Sequence, residues 1–340
     1  IVIGPQQQLY LSWTKKAKGR LSGDIRFSRS LDGGKSFELP KTINDDGLVT
    51  GHRFDSLYVT ASGLIYLAWL DKRDNFVKNS ISKNSNSTKP SNISKQSDKK
   101  PRGAALYYSF SKDQGKSFVA NRKVKDSSCE CCRIAIAPYK DSGVAVFWRH
   151  IFKEPFKQGA NEDVRDHAFA ILTESGASET VRATIDEWHI NGCPHHGPAM
   201  AVNQQGNYHL VWFSAGDLHK GIYYGLFNTL TKTTRQVVPV DQSPTASHAT
   251  IAMFGDKVYL VWKRLKAGET EVVLSFSSDN GLSWSSPRRL MTTQENSDHP
   301  LFLKGEFLTD KDVGYVAWWS QQEGYRVLPV TAMDVEDEIL

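Results

Sequence analysis

The chain has 340 residues, 39% of them hydrophobic and 11% aromatic, enough apolar material to bury a large core in one big domain or two. No apolar run approaches the roughly 18 residues of a membrane helix, and no basic leader precedes an apolar stretch, so membrane insertion is not expected. The net charge of +5 comes partly from one Ser/Asn/Lys-rich stretch, residues 78–103, nearly free of apolar side chains and read as a flexible basic loop; with no helix or aromatic ladder to carry those lysines, a nucleic-acid role has no support.

One unit recurs along the chain: an apolar alternation, a turn, and a second alternation ending in tryptophan. It opens the sequence as IVIGPQQQLYLSW, ending at Trp13, and returns as LYVTASGLIYLAW at Trp69. Four more copies follow, IAIAPYKDSGVAVFW at Trp148, MAVNQQGNYHLVW at Trp212, IAMFGDKVYLVW at Trp262 and LFLKGEFLTDKDVGYVAW at Trp318. Period-two alternation around Gly, Asn and Asp turn residues is a hairpin signature. A third strand follows each copy: DIRFSRS, ALYYSFS, HAFAILT, IYYGLFN, EVVLSFS and YRVLPVT. Six units of three or four strands predict an all-β fold, a six-bladed β-propeller over residues 1–340 with loop 78–103 inserted in the second blade. The tryptophans are expected to pack between blades.

After the third strand, three blades carry a second motif: SLDGGKSF with Asp32 and Phe37, SKDQGKSF with Asp113 and Phe118, and SSDNGLSW with Asp279 and Trp284. The carboxylate can accept hydrogen bonds from turn amides, the glycine can take positive φ, and the aromatic can anchor the turn between sheets. This motif resembles the Asp-box of sialidase-like (BNR repeat) propellers. In proteins of that kind the boxes lie opposite the binding face, so the resemblance makes these aspartates structural. The fold it implies does not by itself imply a reaction.

The resemblance also implies that the first strand of each blade lines the axis, with its N-terminal end at the ligand-binding face. The seven residues before the inner strands that begin at Leu57, Ile134, Met200, Ile251 and Leu301 contain His52, Cys129, Cys131, Cys132, Cys193, His195, His196, His248 and His299. Those are nine of the chain's 4 Cys and 10 His residues. Imidazoles and thiolates gathered at one mouth are what a thiophilic transition metal needs, and the mixture favours copper, with zinc as the other choice, over magnesium or calcium. His150 and His167 are candidate outer ligands. Disulfide bonding is the alternative for the four cysteines, with a Cys132–Cys193 staple the least strained pairing.

Arginines stand at the same expected face: Arg53, Arg133, Arg149 and Arg165, each able to grip a carboxylate with a bidentate guanidinium. In sialidases three arginines hold the sugar carboxylate, a tyrosine paired with glutamate is the nucleophile and an aspartate is the acid/base. In GHRFDSL, Asp55 follows Arg53, and near the C-terminus EGYRV carries Glu323, Tyr325 and Arg326, although Tyr325 has no match to the nucleophile position. The set HRFDS, CECCR, RDH, CPHHGP and SDHP looks like a bacterial group of sialidase-like propellers often called exo-α-sialidases. Three functions are therefore expected: a periplasmic or secreted propeller whose mouth holds a Cys/His metal centre, for metal handling or redox chemistry on a small ligand; an exo-α-sialidase or related glycosidase acting on an anionic sugar; or a non-catalytic carbohydrate- or protein-binding module.

Overall fold

The structure, a computed structural model, describes residues 1–19, 21–75, 103–153, 163–293, 299–303, 312–321 and 323–331. The basic loop expected over 78–103 lies outside them apart from Gly103. No helix among the described residues is long and apolar enough to cross a membrane. Tertiary contacts group the chain into two compact units, Ile1–Thr180 with Ile190–His195, and Val181–His189 with His196–Leu340.

The first unit holds three antiparallel sheets. β1 (Val2–Ile3), β2 (Leu9–Lys16), β3 (Gly23–Ser30) and β4 (Lys41–Thr42) form the first, in chain order. β5 (His52–Val59), β6 (Ile65–Asp71), β7 (Ala104–Ser111) and β8 (Arg122–Ser128) form the second; β9 (Ala135–Tyr139), β10 (Gly143–Arg149) and β11 (His167–Leu172) form the third. Every residue of β6, β7 and β10 is buried, because these strands are covered on both faces. One apolar cluster unites Tyr10, Phe27, Ile65, Trp69 and Tyr107 of the first and second sheets, and another unites Tyr66, Leu106, Tyr108, Val146 and Trp148 of the second and third.

The second unit repeats the scheme. After a short strand β12 (Val181–Arg182) come a sheet of β13 (Ala199–Val202), β14 (Tyr208–Ala215), β15 (Lys220–Asn228) and β16 (Thr233–Asp241), and one of β17 (Ser247–Phe254), β18 (Lys257–Lys266), β19 (Glu269–Ser277) and β20 (Arg288–Thr293). The last sheet is β21 (Leu301–Leu303), β22 (Asp312–Ser320) and β23 (Gly324–Thr331). All six hairpins and third strands read from the sequence are present.

Trp69, Trp148, Trp212 and Trp262 are at most 1% exposed, whereas Trp13 is 37% exposed. The buried four do more than pack. A buried indole N–H needs an acceptor, and each has one: Trp69 donates to Asp71 (2.8 Å), Trp148 to Ser128 (3.0 Å), Trp212 to Asp186 (3.1 Å) and Trp262 to Asp241 (2.7 Å).

The three aspartate turns are superposable in their bonding. Asp113 Oδ1 accepts from the Ser117 amide (2.9 Å) and Ser111 hydroxyl (2.8 Å), and Oδ2 from the Ser117 hydroxyl (2.6 Å). Asp32 and Asp279 repeat this with Ser30 and Ser36, and with Ser277 and Ser283. Gly115 has φ +82°, and a Cβ there would lie 2.5 Å from the Phe27 ring, so only glycine fits. Phe118 meets Phe27 edge-on at 4.9 Å, and Trp284 meets Tyr224 in the same way at 4.9 Å, pinning each turn to the preceding sheet.

These hydrogen bonds hold the Asp113 carboxyl at about 2, burial being the largest but opposing influence. A carboxylate depressed in the folded state contributes stability above its unfolded value near 3.8, and that contribution disappears as pH falls toward about 2. Asp113→Ala is expected to cost about 1 kcal/mol near neutral pH and to flatten the loss of melting temperature between those two pH values; equal acid slopes for variant and wild type would refute the role.

Candidate functional site

The cysteines and half of the expected site residues meet in the first unit, around a feature of β5. This strand pairs with β6 through His52↔Asp71 and Arg53↔Leu70, then shifts register before Ser56↔Ala68. The extra residue makes a β-bulge, with Phe54 at φ +58°. A bulky residue in the left-handed region is held there only by its surroundings. Phe54 packs against Cys129, Cys131 and Cys132, while Arg53 turns to the cavity with its guanidinium 5.3 Å from the Phe54 ring. β17 has a matching register shift in the second unit, where His248 takes φ +55°.

The cavity has a volume of about 430 Å³ and is lined by Arg53, Phe54, Lys72, Glu130, Cys131, Cys193 and His195 among others. Lys72 is neutralised by an ion pair with Glu130. Among the described residues Arg53 forms no ion pair or hydrogen bond, and its guanidinium meets the Phe54 ring at the cavity wall.

The sulfur cluster forms the adjoining wall. Cys129, Cys131 and Cys132 are buried, Cys193 is exposed, and all four are free. The Cys129 sulfur lies 3.6 Å from that of Cys131 and 3.4 Å from that of Cys132. The sulfurs of Cys129, Cys131 and Cys193 lie within 4.8 Å of one another, a grouping that could hold a metal ion. Cys193 thus groups with Cys129 and Cys131 rather than pairing with Cys132. Arg165 donates to the Cys129 sulfur (3.3 Å) and to the Ile190 carbonyl (2.9 Å), tying the loop that carries Cys193 to the cluster. Hydrogen bonding from Cys131 and Cys132, then the Arg165 charge, draws the Cys129 thiol far down, against the desolvation that opposes it. The same shared proton pushes Cys131 up and Cys132 up to about 12, so one thiolate, on Cys129, is the favoured charge state.

Other expected residues stand elsewhere. His52 is fully buried, its Nδ1 facing the Gly23 carbonyl (2.8 Å) and its Nε2 facing Asp46 (3.0 Å), with Asp71 at 3.6 Å. Arg73 completes this network through Asp71 (2.8 Å) and Asp45 (2.8 Å). Asp55 accepts from Ser12 (2.5 Å) and Thr14 (3.3 Å). Arg149 is buried and donates to the Arg165 carbonyl (2.8 Å), and Arg133 is half-buried beside Cys132 in the chain. His150 sits edge-on against Trp148 and Phe152 and His167 tilts against Phe147 at 5.1 Å; burial drives His150 down to about 3 and His167 well below its usual value, so both are neutral core imidazoles.

In the second unit His196 stacks on Phe213 at 4.1 Å and lies 4.9 Å from His248, which stacks on His299 at 6.3 Å. These rings form a row, and their nitrogens are not among the described groups that converge within 4.8 Å. Tyr325 is 82% exposed on β23. The sequence reading missed the Arg165–Cys129 contact, the Lys72–Glu130 pair and the aspartates around His52, none of which has a local signature: each joins residues at least 28 positions apart or depends on burial. It also missed a Glu187, His189 and Asp217 grouping, beside which buried Asp186 accepts from His219 (2.7 Å).

Both ring nitrogens of His52 face acceptors, the arrangement of an imidazolium. Burial would lower its pKa, but the bond to Asp46 and the charges of Asp71 and Asp46 outweigh it and raise it above 6.5. A raised value means the stabilisation is full below about 6.5 and is lost as pH rises through the folded value. His52→Ala, which removes a partner of buried Asp71 and half-buried Asp46 and leaves them to Arg73, is expected to destabilise by about 3 kcal/mol at about pH 6, and by less at about pH 9, measured by urea unfolding. A pH-independent cost would count against the charged form.

No protein-family model and no curated protein matches this sequence. Solved structures do match over nearly the whole chain. An ulvan lyase, a polysaccharide lyase bound to a glucuronate-rhamnose-sulfate saccharide, aligns with TM-score 0.54 and 12% identity over 97% of this chain and 78% of its own. A sialidase of Streptococcus pneumoniae gives 0.52 and 10% over 96% and 76%; a leech intramolecular trans-sialidase gives 0.57 and 9% over 95% and 66%. At such identities the likeness is one of fold: this chain has the six-bladed β-propeller fold of the sialidase type.

Proposed function

We propose that this propeller binds an anionic small molecule, with a carboxylate-bearing sugar as its class, in the cavity beside Arg53, and that the adjoining thiolates form a soft-metal centre. The observation that carries the first part is the Arg53 guanidinium on the wall of a cavity of about 430 Å³, without an ion pair among the described residues. A guanidinium held by a ring face and facing a cavity is suited to a bidentate grip on a carboxylate. The fold likeness to enzymes of anionic saccharides supports this choice of ligand.

The sulfur geometry supports the second part. Cys129, Cys131 and Cys193 would hold the ion, the Arg165 charge offsetting the negative charge of several thiolates. Three sulfurs suit copper(I) or zinc rather than magnesium or calcium. Such a centre belongs with an exported or periplasmic protein that handles metal or turns over a small ligand. When bound, the metal would supply Lewis-acid or electron-transfer chemistry next to the ligand; the chain's own residues orient the anion and exclude water with Phe54 and Leu70.

Glycoside hydrolysis is the second reading, favoured by the fold likeness to sialidases. Of the expected catalytic residues Arg53 alone lines the cavity, and Asp55 is engaged by Ser12 and Thr14. Binding is therefore the better-supported part of the sugar reading.

Arg53→Ala is expected to weaken binding of N-acetylneuraminate or glucuronate, read by calorimetry, by about tenfold to a hundredfold, the worth of a charged hydrogen-bonded pair, without changing affinity for neutral sugars. Equal affinity in wild type and variant would remove the anion grip, and turnover of a fluorogenic sialoside lost in Arg133→Ala would establish the hydrolase. For the metal, protein purified without a histidine tag is expected to take up about one copper(I) or zinc per chain. Cys129→Ser and Cys193→Ser should each lower that affinity at least about tenfold, and unchanged uptake in both would sink the centre.

A further inference from the structure

The cavity presents one thiol to solvent and stores the others behind it. Cys193 is exposed on the Ile190–His195 loop, whose end is marked by His195 at φ +58°, while Cys129 is 1% exposed and Cys131 6% exposed. The Cys193 sulfur is within 4.8 Å of both buried sulfurs, and Arg165 bridges the Cys129 sulfur and the Ile190 carbonyl at the base of that loop. A reachable thiol backed by a second one that a guanidinium attends is the layout of an attacking and a resolving cysteine.

We propose that, in the metal-free protein, this cavity is a thiol–disulfide exchange site for an anionic low-molecular-weight disulfide, with Cys193 as the entry thiol and Cys129 as the resolving one. The choice of an anionic disulfide rests on the reading that Arg53 receives a carboxylate. In the first step the Cys193 sulfur attacks one sulfur of the disulfide RSSR. The bond from Cys193 to that sulfur forms, the S–S bond of RSSR breaks, and the released RS⁻ takes up the proton that left Cys193. In the second step the Cys129 thiolate attacks Cys193 Sγ, the Cys129–Cys193 bond forms as the mixed disulfide breaks, and the expelled second RS⁻ takes up from water the proton that Cys129 had released on ionising. Two cysteine thiols are oxidised to one internal disulfide, and RSSR gains the two electrons to become two RSH.

Cys131 and Cys132 do not enter this sequence, although Cys132 lies 3.4 Å from Cys129. Cys132 is buried, and neither it nor Cys129 meets an external disulfide before Cys193 does. The exchange also competes with metal, because Cys129 and Cys193 serve both. A bound ion therefore protects the cavity thiols from oxidation.

The test uses the full chain, stripped of metal with a chelator, reduced and desalted, then exposed to oxidised glutathione and followed by intact-mass and peptide mass spectrometry. The wild type is expected to end with a Cys129–Cys193 disulfide and no retained glutathione. Cys129→Ser stops at a glutathione adduct on Cys193, and Cys193→Ser reacts at least about tenfold more slowly. Arg53→Ala slows the reaction with oxidised glutathione about tenfold more than it slows the reaction with uncharged hydroxyethyl disulfide. Because Cys129 is buried, circular dichroism of its variant accompanies the assay, and the exposed Cys193→Ser variant tests the entry step independently. A first adduct on any other cysteine, a Cys129–Cys132 disulfide in place of Cys129–Cys193, or thiols that stay reduced in excess oxidant overturns the proposal. Equal slowing with both disulfides in Arg53→Ala overturns the anionic substrate class while leaving the exchange. Metal content of the same preparation separates the two roles: metal uptake with inert thiols overturns the exchange alone, and exchange without metal uptake overturns the metal centre alone.

Discussion

Burial of the middle strands on both faces is the condition from which the rest of this structure follows. β6 and β10 have no exposed residue, so any polar atom along them must find a partner inside the protein. The tryptophans that end these strands meet the condition by donating to Asp71 and Ser128, as Trp212 and Trp262 do to Asp186 and Asp241. Those acceptors in turn order what surrounds them. Asp71 also takes Arg73 and stands beside His52, and Ser128 precedes the cysteine run by one residue. The packing anchors and the polar networks are therefore built from the same side chains.

The first unit keeps two kinds of buried charge apart. Around His52, the carboxylates of Asp46, Asp71 and Asp45 are offset by the His52 ring and Arg73, and Asp46, His52 and Asp71 form a grouping that could hold a metal ion. Around Cys129 the balance is incomplete among the described residues: Arg165 attends a sulfur cluster whose hydrogen bonding draws the Cys129 thiol down and the Cys131 thiol up, and Arg53 faces the cavity without an ion pair. Incomplete compensation inside a cavity is what leaves room for a ligand or ion. The bulge at Phe54 joins the two regions, since the same strand start carries His52 inward, Phe54 onto the sulfurs and Arg53 to the opening.

Much of the fold was legible because period-two alternation, turn glycines and terminal tryptophans are local signals that recur six times. The third strands were equally plain, and the aspartate turns bond as their residue types require. The site was legible only in part. Gathering of Cys and His before the inner strands identified Cys129, Cys131, Cys193 and His195, which do line or adjoin one cavity. The same rule named His52, which lies apart from that cavity in a grouping with Asp46 and Asp71, and His196, His248 and His299, which form a row of rings. Position before a strand says where a side chain starts, while a bulge decides where it points.

The sequence by itself determined the all-β repeat, the recurring tryptophans and the concentration of sulfur and imidazole at strand starts, because each depends on neighbours a few residues away. Only the tertiary structure decided which of those groups share a cavity, which sulfurs lie together and which is exposed. It also decided that Arg165 attends the sulfur cluster, Lys72 is neutralised by Glu130, and Arg53 stands at the cavity wall without an ion pair among the described residues. Those outcomes depend on distances between residues far apart in the chain and on local burial, and neither is written in any short stretch of it.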